Sequence, residues 1–252
     1  MKNPGGVRSV SRALALLSAL DRGGRTLTEL AHAANISIST ASRLLNTLEA
    51  EGFVSNTHDN KYVPGLALTS LLYTTDQWAP LRRVARAATQ ALRAELDETS
   101  AFFVRTGSDR LCIESHESTQ LVRRVCLPGE RGKVYLGAAG KTLLAFGADG
   151  DPWVELFGSK GEFTTASEEV RPVADLKEEC EQIRLQGYAF SRHESTLESW
   201  AVAAPMFMNR TLIGVLTMVI PTTRYGSEYL TRVIRATMSV AKDHSDTSRK
   251  GR

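Results

Sequence analysis

The sequence has little cysteine and no apolar run long enough to cross a membrane. Its three cysteines, Cys112, Cys126 and Cys180, are too few and too scattered for a disulfide framework or a paired zinc motif. The longest apolar run, residues 212–221, is far shorter than the roughly 20 residues that a bilayer requires. These absences predict a cytoplasmic protein with no metal, no cofactor and no membrane partner.

The chain also lacks a strong excess of either charge. Its 31 Lys and Arg residues against 28 Asp and Glu residues give a net charge of +3, which permits nucleic-acid binding without requiring it. The length of 252 residues, of which 42% are hydrophobic, suffices for one or two packed domains. An apolar stretch at 13–20 follows basic residues but has no small-x-small cleavage site. A first amphipathic helix is therefore a better interpretation than a signal peptide.

The first quarter of the chain has the apolar spacing of three short helices. The first is predicted by a stripe that would face the core: Val10, Ala13, Leu14 and Leu17. A capping-box pattern at 26–29 begins the second helix, and Asn35 suits the left-handed turn that follows it. The third helix runs from Ser37 to Gly52 and has a predicted buried face of Ala41, Leu44, Leu45 and Leu48.

The outward face of the third helix carries no acidic group, because no Asp or Glu lies between Glu29 and Glu49. Its hydroxyl, amide and guanidinium groups suit contacts with phosphates and base edges. Residues 53–55 and 61–63 can then pair as a hairpin, which completes a winged helix-turn-helix over residues 7–65. The candidate DNA contacts are Ser37, Ser39, Thr40, Ser42, Arg43 and Asn46 on the helix and Asn60 and Lys61 in the hairpin.

The remainder of the chain has the pattern of a linker helix and a second, α+β domain. Pro80 disfavours helix at the preceding residue, so we assign 66–79 to the linker and 80–245 to the second domain. Turn signals at 107–109 and 209–210 predict two hairpins of an antiparallel sheet, and 121–127 predicts a further strand. Helices fit residues 138–146, 173–185 and 227–240, and a frayed basic tail is predicted at 246–252.

Four segments of the first domain resemble the DNA-binding half of IclR-type transcriptional regulators: 27–31, 39–49, 52–54 and 62–65. The resemblance continues through the second domain at 140–145, 183–189, 203–205 and 221–224, so it covers nearly the whole chain. The sequence departs from the family pattern at Ser42, where His is usual, at Ile38, where a polar residue is common, and at Pro64, where Leu is common. The first two departures would change the operator sequence rather than the binding mode.

The resemblance implies a ligand-responsive regulator whose GAF-like carboxy-terminal domain binds an effector and supports dimers or tetramers. Carried over by alignment, the implied effector-binding residues are Ala138, Ala139, Gly140, Ser191, Arg192, His193, Ala201, Thr217 and Val219. The family commonly has acidic residues where 191–193 stand, so Arg192 and His193 favour a carboxylate as the effector. The alternative is that Arg192 is exposed to solvent and that His193 is an ordinary loop residue.

An alternative function from another class is a GAF-like sensor or enzyme whose helix-turn-helix mediates protein contact. Gly140, Lys141 and Thr142 do not complete a phosphate-binding loop, because Tyr135 stands where that motif needs glycine. Ser195 lies near His193, but neither an acid partner nor a nucleophile elbow marks a catalytic site. We expect a regulator, with repression as the favoured sign. The resemblance leaves open the effector, the operator, activation or repression, and dimer or tetramer.

Overall fold

The computed structural model describes residues 7–20, 23–74, 78–147, 152–158 and 161–245. The chain separates into two compact units, Met1–Trp78 and Ala79–Arg252. The predicted basic tail at 246–252 lies outside the described residues. Among the helices that the structure describes, none is both long enough and apolar enough to span a bilayer.

The described part of the amino-terminal unit is a winged helix-turn-helix followed by one more helix. Its elements are α1 (Arg8–Ser18), β1 (Arg25–Thr26), α2 (Leu27–Ala33), α3 (Ile38–Ala50), β2 (Val54–Asn56), β3 (Lys61–Pro64) and α4 (Leu66–Thr74). Strand β3 lies between β1 and β2 and pairs antiparallel with both. The predicted hairpin is therefore confirmed, and β1 adds a third strand that the sequence pattern did not indicate.

Local polar groups begin and end the helices of this unit as the sequence indicated. The Thr26 N–H donates to Glu29 Oε2 at 2.8 Å, and the Glu29 N–H donates to Thr26 Oγ1 at 3.4 Å, which confirms the capping box. Asn35 has φ of 52°, so the predicted left-handed turn before α3 is also confirmed. These contacts satisfy helix-end amides that would otherwise need water, and they set where α2 and α3 begin.

The buried face of α1 differs from the predicted one. Leu16 is fully buried, and Ala13 and Leu17 are partly buried, whereas Val10 and Leu14 are 55% and 57% exposed. The prediction that Val10 and Leu14 face the core is therefore wrong. Because α1 has apolar residues on more than one side, two overlapping stripes both have the helical period. Packing against α2 and α3 selects the stripe that contains Leu16.

The carboxy-terminal unit is built around one antiparallel sheet. Its described elements are α5 (Ala79–Leu96), β4 (Thr99–Thr106), β5 (Asp109–His116), β6 (Arg131–Lys133), α6 (Gly137–Phe146), α7 (Pro152–Phe157), β7 (Glu162–Thr164), β8 (Val170–Pro172), α8 (Val173–Gln186), β9 (Ala189–Arg192), β10 (Ser199–Met208), β11 (Thr211–Pro221) and α9 (Ser227–Asp243). Six strands form the sheet in the order β6-β5-β4-β11-β10-β9, and β7 and β8 form a separate hairpin. The predicted α+β architecture is confirmed.

Helices cover the two faces of the sheet. One face packs against α6, with α8 outside it, and its core includes Leu143, Leu176 and Ala203. The other face packs against α5 and α9, and its core includes Trp200 and Val202. Successive residues of β10 thus point into opposite layers, as the two-residue period of a strand requires. This alternation decides which side chains can reach the cavity described below.

The strand predicted at 121–127 does not form. The free edge of β5 pairs instead with β6, and the peptide groups of residues 129 and 130 bond to Cys112. Residues 118–130 form a loop, called here the cavity loop, in which Leu121 is 97% exposed and Val122 is 60% exposed. The apolar pattern of this segment predicted a strand, but the edge of β5 is taken at residues 109–111 by β6 and at Cys112 by residues 129 and 130.

Candidate nucleic-acid interface and ligand cavity

The outward face of α3 presents donors to solvent. Ser39, Arg43 and Asn46 are exposed, and Thr40 and Ser42 are half-buried beside them. Within the part of the chain that the structure describes, no side-chain hydrogen bond or ion pair holds the Arg43 guanidinium. A free guanidinium on a helix face that has no acidic group from Ser39 to Asn46 can bind phosphate oxygens or a guanine edge.

The start of α3 is a cluster of hydroxyl groups. Ser37 is the N-cap residue, and its Oγ accepts the Thr40 N–H at 3.3 Å. The hydroxyl oxygens of Ser39 and Thr40 lie 3.2 Å and 2.8 Å from Ser37 Oγ. The Ser37 hydroxyl is thus already used to begin the helix. The Ser39 hydroxyl is exposed at the positive end of the helix dipole and does not cap the helix.

The hairpin places Asn60 and Lys61 at and beside its turn. Asn60 is exposed and has φ of 56°, as a tight turn requires. The Lys61 ammonium lies 3.2 Å from the carboxylate of Asp59, a neighbour that the sequence analysis did not consider. A hydrogen bond from Thr57, together with Lys61, lowers the pKa of Asp59, which therefore stays ionised. A DNA phosphate would have to compete with Asp59 for Lys61.

A cavity of about 50 Å³ lies against one face of the sheet, between the cavity loop, the start of α6 and the segment after β9. It brings together six of the predicted effector-binding residues: Ala138, Ala139, Ser191, Ala201, Thr217 and Val219. Their distances along the chain are large, and the antiparallel pairing of β9, β10 and β11 places them side by side. Whether they bind an effector stays a prediction.

Three predicted residues, Gly140, Arg192 and His193, do not line this cavity. Strand alternation on β9 points Ser191 toward the cavity and Arg192 to the other face, where its guanidinium lies 4.4 Å from the Tyr225 ring centroid. His193 has φ of 61° and donates its N–H to the Ser199 carbonyl at 3.3 Å. A Cβ at Gly140 would overlap the Val134 carbonyl, so glycine there allows close packing.

The first two amides of α6 are bonded to side chains of this same chain. The Gly137 N–H donates to Glu194 Oε2 at 3.2 Å, and the Ala138 N–H donates to Ser191 Oγ at 2.8 Å. The other Glu194 oxygen accepts from Lys141 Nζ at 2.7 Å, and the Lys141 side chain is only 5% exposed. A buried ion pair therefore holds the segment after β9 against the start of α6.

This ion pair extends toward the surface through α8. Lys141 Nζ also donates to Glu179 Oε2 at 3.0 Å, and Arg171 donates to Glu179 Oε1 at 2.6 Å. Burial alone would raise the pKa of Glu179, but the charges of Lys141 and Arg171 and their hydrogen bonds outweigh burial and lower it. Two acids and two bases thus form a compensated network beside the cavity.

Sequence reasoning missed the charged residues on the other side of the cavity. Arg110 from β5 and Arg124 and Glu130 from the cavity loop line it there, together with the neutral thiol of Cys126, and Glu194 lines it at the start of α6. The loop residues were hidden by the prediction of a strand at 121–127. Lys141 was a usable signal that some acidic partner lies beside α6, because it interrupts the apolar run of that helix and a buried lysine needs such a partner.

Comparisons with known proteins agree with this architecture in both units. The description "Bacterial transcriptional regulator IclR C-terminal" matches residues 74–246, and "IclR helix-turn-helix domain" matches residues 9–58. The chain belongs to the IclR family. Its amino-terminal unit is accordingly a DNA-binding domain, and its carboxy-terminal unit is the ligand-binding domain of a transcriptional regulator.

IclR-family relatives and solved structures cover most of the chain. The transcriptional repressor IclR of Escherichia coli is 31% identical over 209 residues, which are 81% of this chain and 76% of the relative. The structure of an IclR transcriptional regulator from Alicyclobacillus acidocaldarius has a TM-score of 0.77 at 26% identity and covers 95% of this chain and 98% of its own. An IclR homologue from Microbacterium hydrocarbonoxydans, complexed with 4-hydroxybenzoate, shares the fold with a TM-score of 0.72 at 18% identity, covering 95% and 100%.

Proposed function

We propose that this IclR-family regulator is a homo-oligomeric, cytoplasmic repressor without catalytic activity, and that a small carboxylate in the cavity changes its affinity for the operator. The DNA-binding part of the proposal rests on the exposed face of α3 from Ser39 to Asn46, which has no acidic group. Two copies of α3 would each enter a major groove of a roughly palindromic site, with Ser39, Thr40, Arg43 and Asn46 against bases or phosphates. Asn60 and Lys61 would contact the DNA backbone beside it.

The finer parts of the proposal have separate support. The Escherichia coli relative is a repressor, and the Microbacterium homologue holds a carboxylate. Self-association is supported by Val10 and Leu14, apolar residues that α1 leaves exposed in the single chain. The effector would shift an equilibrium between assembly geometries, with a coupling free energy of about 1–3 kcal/mol between the two sites.

An anisotropy titration against labelled DNA from the upstream region of the gene tests the proposal. If the assembly makes six or more phosphate contacts, its affinity for DNA should fall about 10³-fold or more as the salt concentration rises from roughly 50 mM to 200 mM. The reason is that each contact releases counterions, and added salt opposes that release. Unlabelled operator should displace the probe, and unrelated DNA of equal length should not. Ligand binding or turnover with no salt-sensitive DNA affinity would instead favour the sensor or enzyme alternative.

Replacement of Arg43 by alanine should weaken operator binding at least about tenfold, because a guanidinium contact with a base or phosphate is lost. The thermal unfolding midpoint should not change, since Arg43 is exposed and its side chain has no partner in the described structure. Arg235→Ala removes the same charge from an exposed position on α9 and serves as the matched control. Equal operator affinity of the Arg43 and Arg235 variants would remove Arg43 from the interface.

A further inference from the structure

The two sides of the cavity differ in the charge that they offer to a ligand. At the start of α6 the chain supplies its own anion, because Glu194 accepts the Gly137 N–H and is paired with Lys141. The Ser191 hydroxyl takes the Ala138 N–H in the same way. A ligand carboxylate at this end would have to displace a bonded carboxylate from a buried cation.

The opposite side has a cationic excess. Arg110 and Arg124 line the cavity there with one acid, Glu130. Arg110 donates through one guanidinium nitrogen to the carbonyl oxygens of Lys133 and Leu136, at 2.9 Å and 3.0 Å. The Arg124 side chain has no hydrogen bond or ion pair among the described residues. Two guanidinium groups against one carboxylate leave one positive charge uncompensated, which a single bound anion would balance.

Both guanidinium groups act on the thiol of Cys126, which lines the same cavity. Burial, aided by the charge of Glu130, raises the pKa of Cys126 to about 12, while the charges of Arg124 and Arg110 act in the opposite direction. Burial also lowers the pKa of Arg110. A bound anion would form charge-assisted hydrogen bonds with these two guanidinium groups.

A buried hydroxyl supplies a second contact. Thr217 is 1% exposed and stands on β11 between Val215 and Val219, whose side chains belong to the core on the cavity face. Among the described residues, its Oγ1 has no hydrogen-bond partner. Since buried polar groups are normally hydrogen-bonded, this hydroxyl is available to an oxygen or nitrogen atom of a ligand.

We infer that the cavity binds a monocarboxylate whose charged group lies at Arg124 and Arg110, away from the start of α6, and that Thr217 bonds a second polar group of the ligand. Arg124 and Thr217 are then specificity-determining residues. The inference rests on the proposed function, since it takes this cavity as the effector site. The sequence favoured Arg192 as the residue that binds the carboxylate of the effector. The inference assigns that role to Arg110 and Arg124, which lie on the other side of the sheet.

Isothermal titration calorimetry of the full chain without DNA tests this inference. The probes are lactate and benzoate with their uncharged counterparts lactamide and benzamide. Arg124→Gln should weaken carboxylate binding about tenfold or more, because a charge-assisted hydrogen bond is lost, and should weaken amide binding much less. Thr217→Val should weaken lactate and lactamide alike, by about fivefold. Arg192→Gln, outside the cavity, is the matched control and should change nothing.

Several results would overturn the inference. The first is that the Arg124→Gln variant binds the carboxylates as tightly as the unchanged protein does. The second is that only Arg192→Gln loses binding. The third is that neither carboxylate gives a heat of binding at millimolar concentration. Circular dichroism of each variant separates a loss of contact from a loss of fold. The calorimetry contains no DNA, so a negative result there does not change the conclusion of the operator-binding experiment. A negative operator-binding experiment likewise does not change the conclusion of the calorimetry.

Discussion

Replacement of Arg224 by leucine is expected to lower the free energy of unfolding of the carboxy-terminal unit by about 3–5 kcal/mol. The Glu98 carboxylate is completely buried and is held by two hydrogen bonds from the Arg224 guanidinium, one of them 2.6 Å long. The Tyr229 hydroxyl donates to it at 3.2 Å. Without Arg224 the carboxylate would keep, among the described residues, only this neutral donor, so an uncompensated charge would remain in the core.

The same substitution should also disturb the cavity. Arg224 donates to the Val122 carbonyl at 2.8 Å and so ties the cavity loop to the segment after β11. Burial, followed by the charge of Glu98, raises the pKa of Tyr229 to about 12, so its phenol stays protonated and cannot replace the lost cation. We therefore expect weaker carboxylate binding together with the loss of stability.

Urea denaturation of this unit, followed by tryptophan fluorescence, measures the effect of Arg224→Leu. The matched control is Arg235→Leu, since Arg235 is exposed on α9 and its loss should change stability by no more than about 0.5 kcal/mol. The double variant Glu98→Gln with Arg224→Leu removes the buried charge and should recover most of the loss. If the double variant is as unstable as the single one, packing and not charge explains the effect.

Replacement of Lys141 by methionine should cost about 3 kcal/mol of stability, because it breaks a buried ion pair by removing one partner. Methionine retains most of the volume of the lysine stem, so the loss is electrostatic. Glu179 keeps Arg171, but Glu194 loses its cation while its side chain is only 17% exposed. The second substitution Glu194→Gln should restore stability, and the exposed Lys242→Met is the control.

The acid sensitivity of the protein should follow from the same network. The pKa of Glu179 is lower in the folded chain than in an ordinary glutamate, despite burial, because of Lys141 and Arg171. Its contribution to stability is therefore present at neutral pH and is lost as the pH falls from about 4.3 through the lowered folded value. The Lys141→Met variant should show a smaller loss of stability over this acid range, and an unchanged loss would contradict the assignment.

The local sequence predicted the elements whose signals lie within a few residues. The capping box at Thr26 and Glu29 and the left-handed Asn35 depend on contacts three or four residues apart, so their pattern is visible in the chain. The hairpin turn at Asn209 and Arg210, both with positive φ, is equally local. The stripe of α1 was ambiguous because two faces were apolar, and only packing distinguished Leu16 from Leu14.

The cavity depended on tertiary structure, since its charged groups come from distant parts of the chain. Lys141 and Glu194 are 53 residues apart, and no pairing rule at that separation can be read from the chain. The resemblance implied that Arg192 binds the effector, but the alternation of side chains along β9 turns it toward Tyr225. The apolar pattern at 121–127 predicted a strand, but residues 118–130 form a loop, and Arg124 of that loop lines the cavity.

The sequence by itself determined the family, the winged helix-turn-helix and the acid-free face of α3, because each depends on local spacing and composition. Only the tertiary structure decided which charges line the cavity. A carboxylate preference was inferred from Arg192, and the folded chain offers Arg110 and Arg124 for the same role. The physical reason is that charge and hydrogen bonding act through space, so strand direction and loop closure decide which side chains can reach the same ligand.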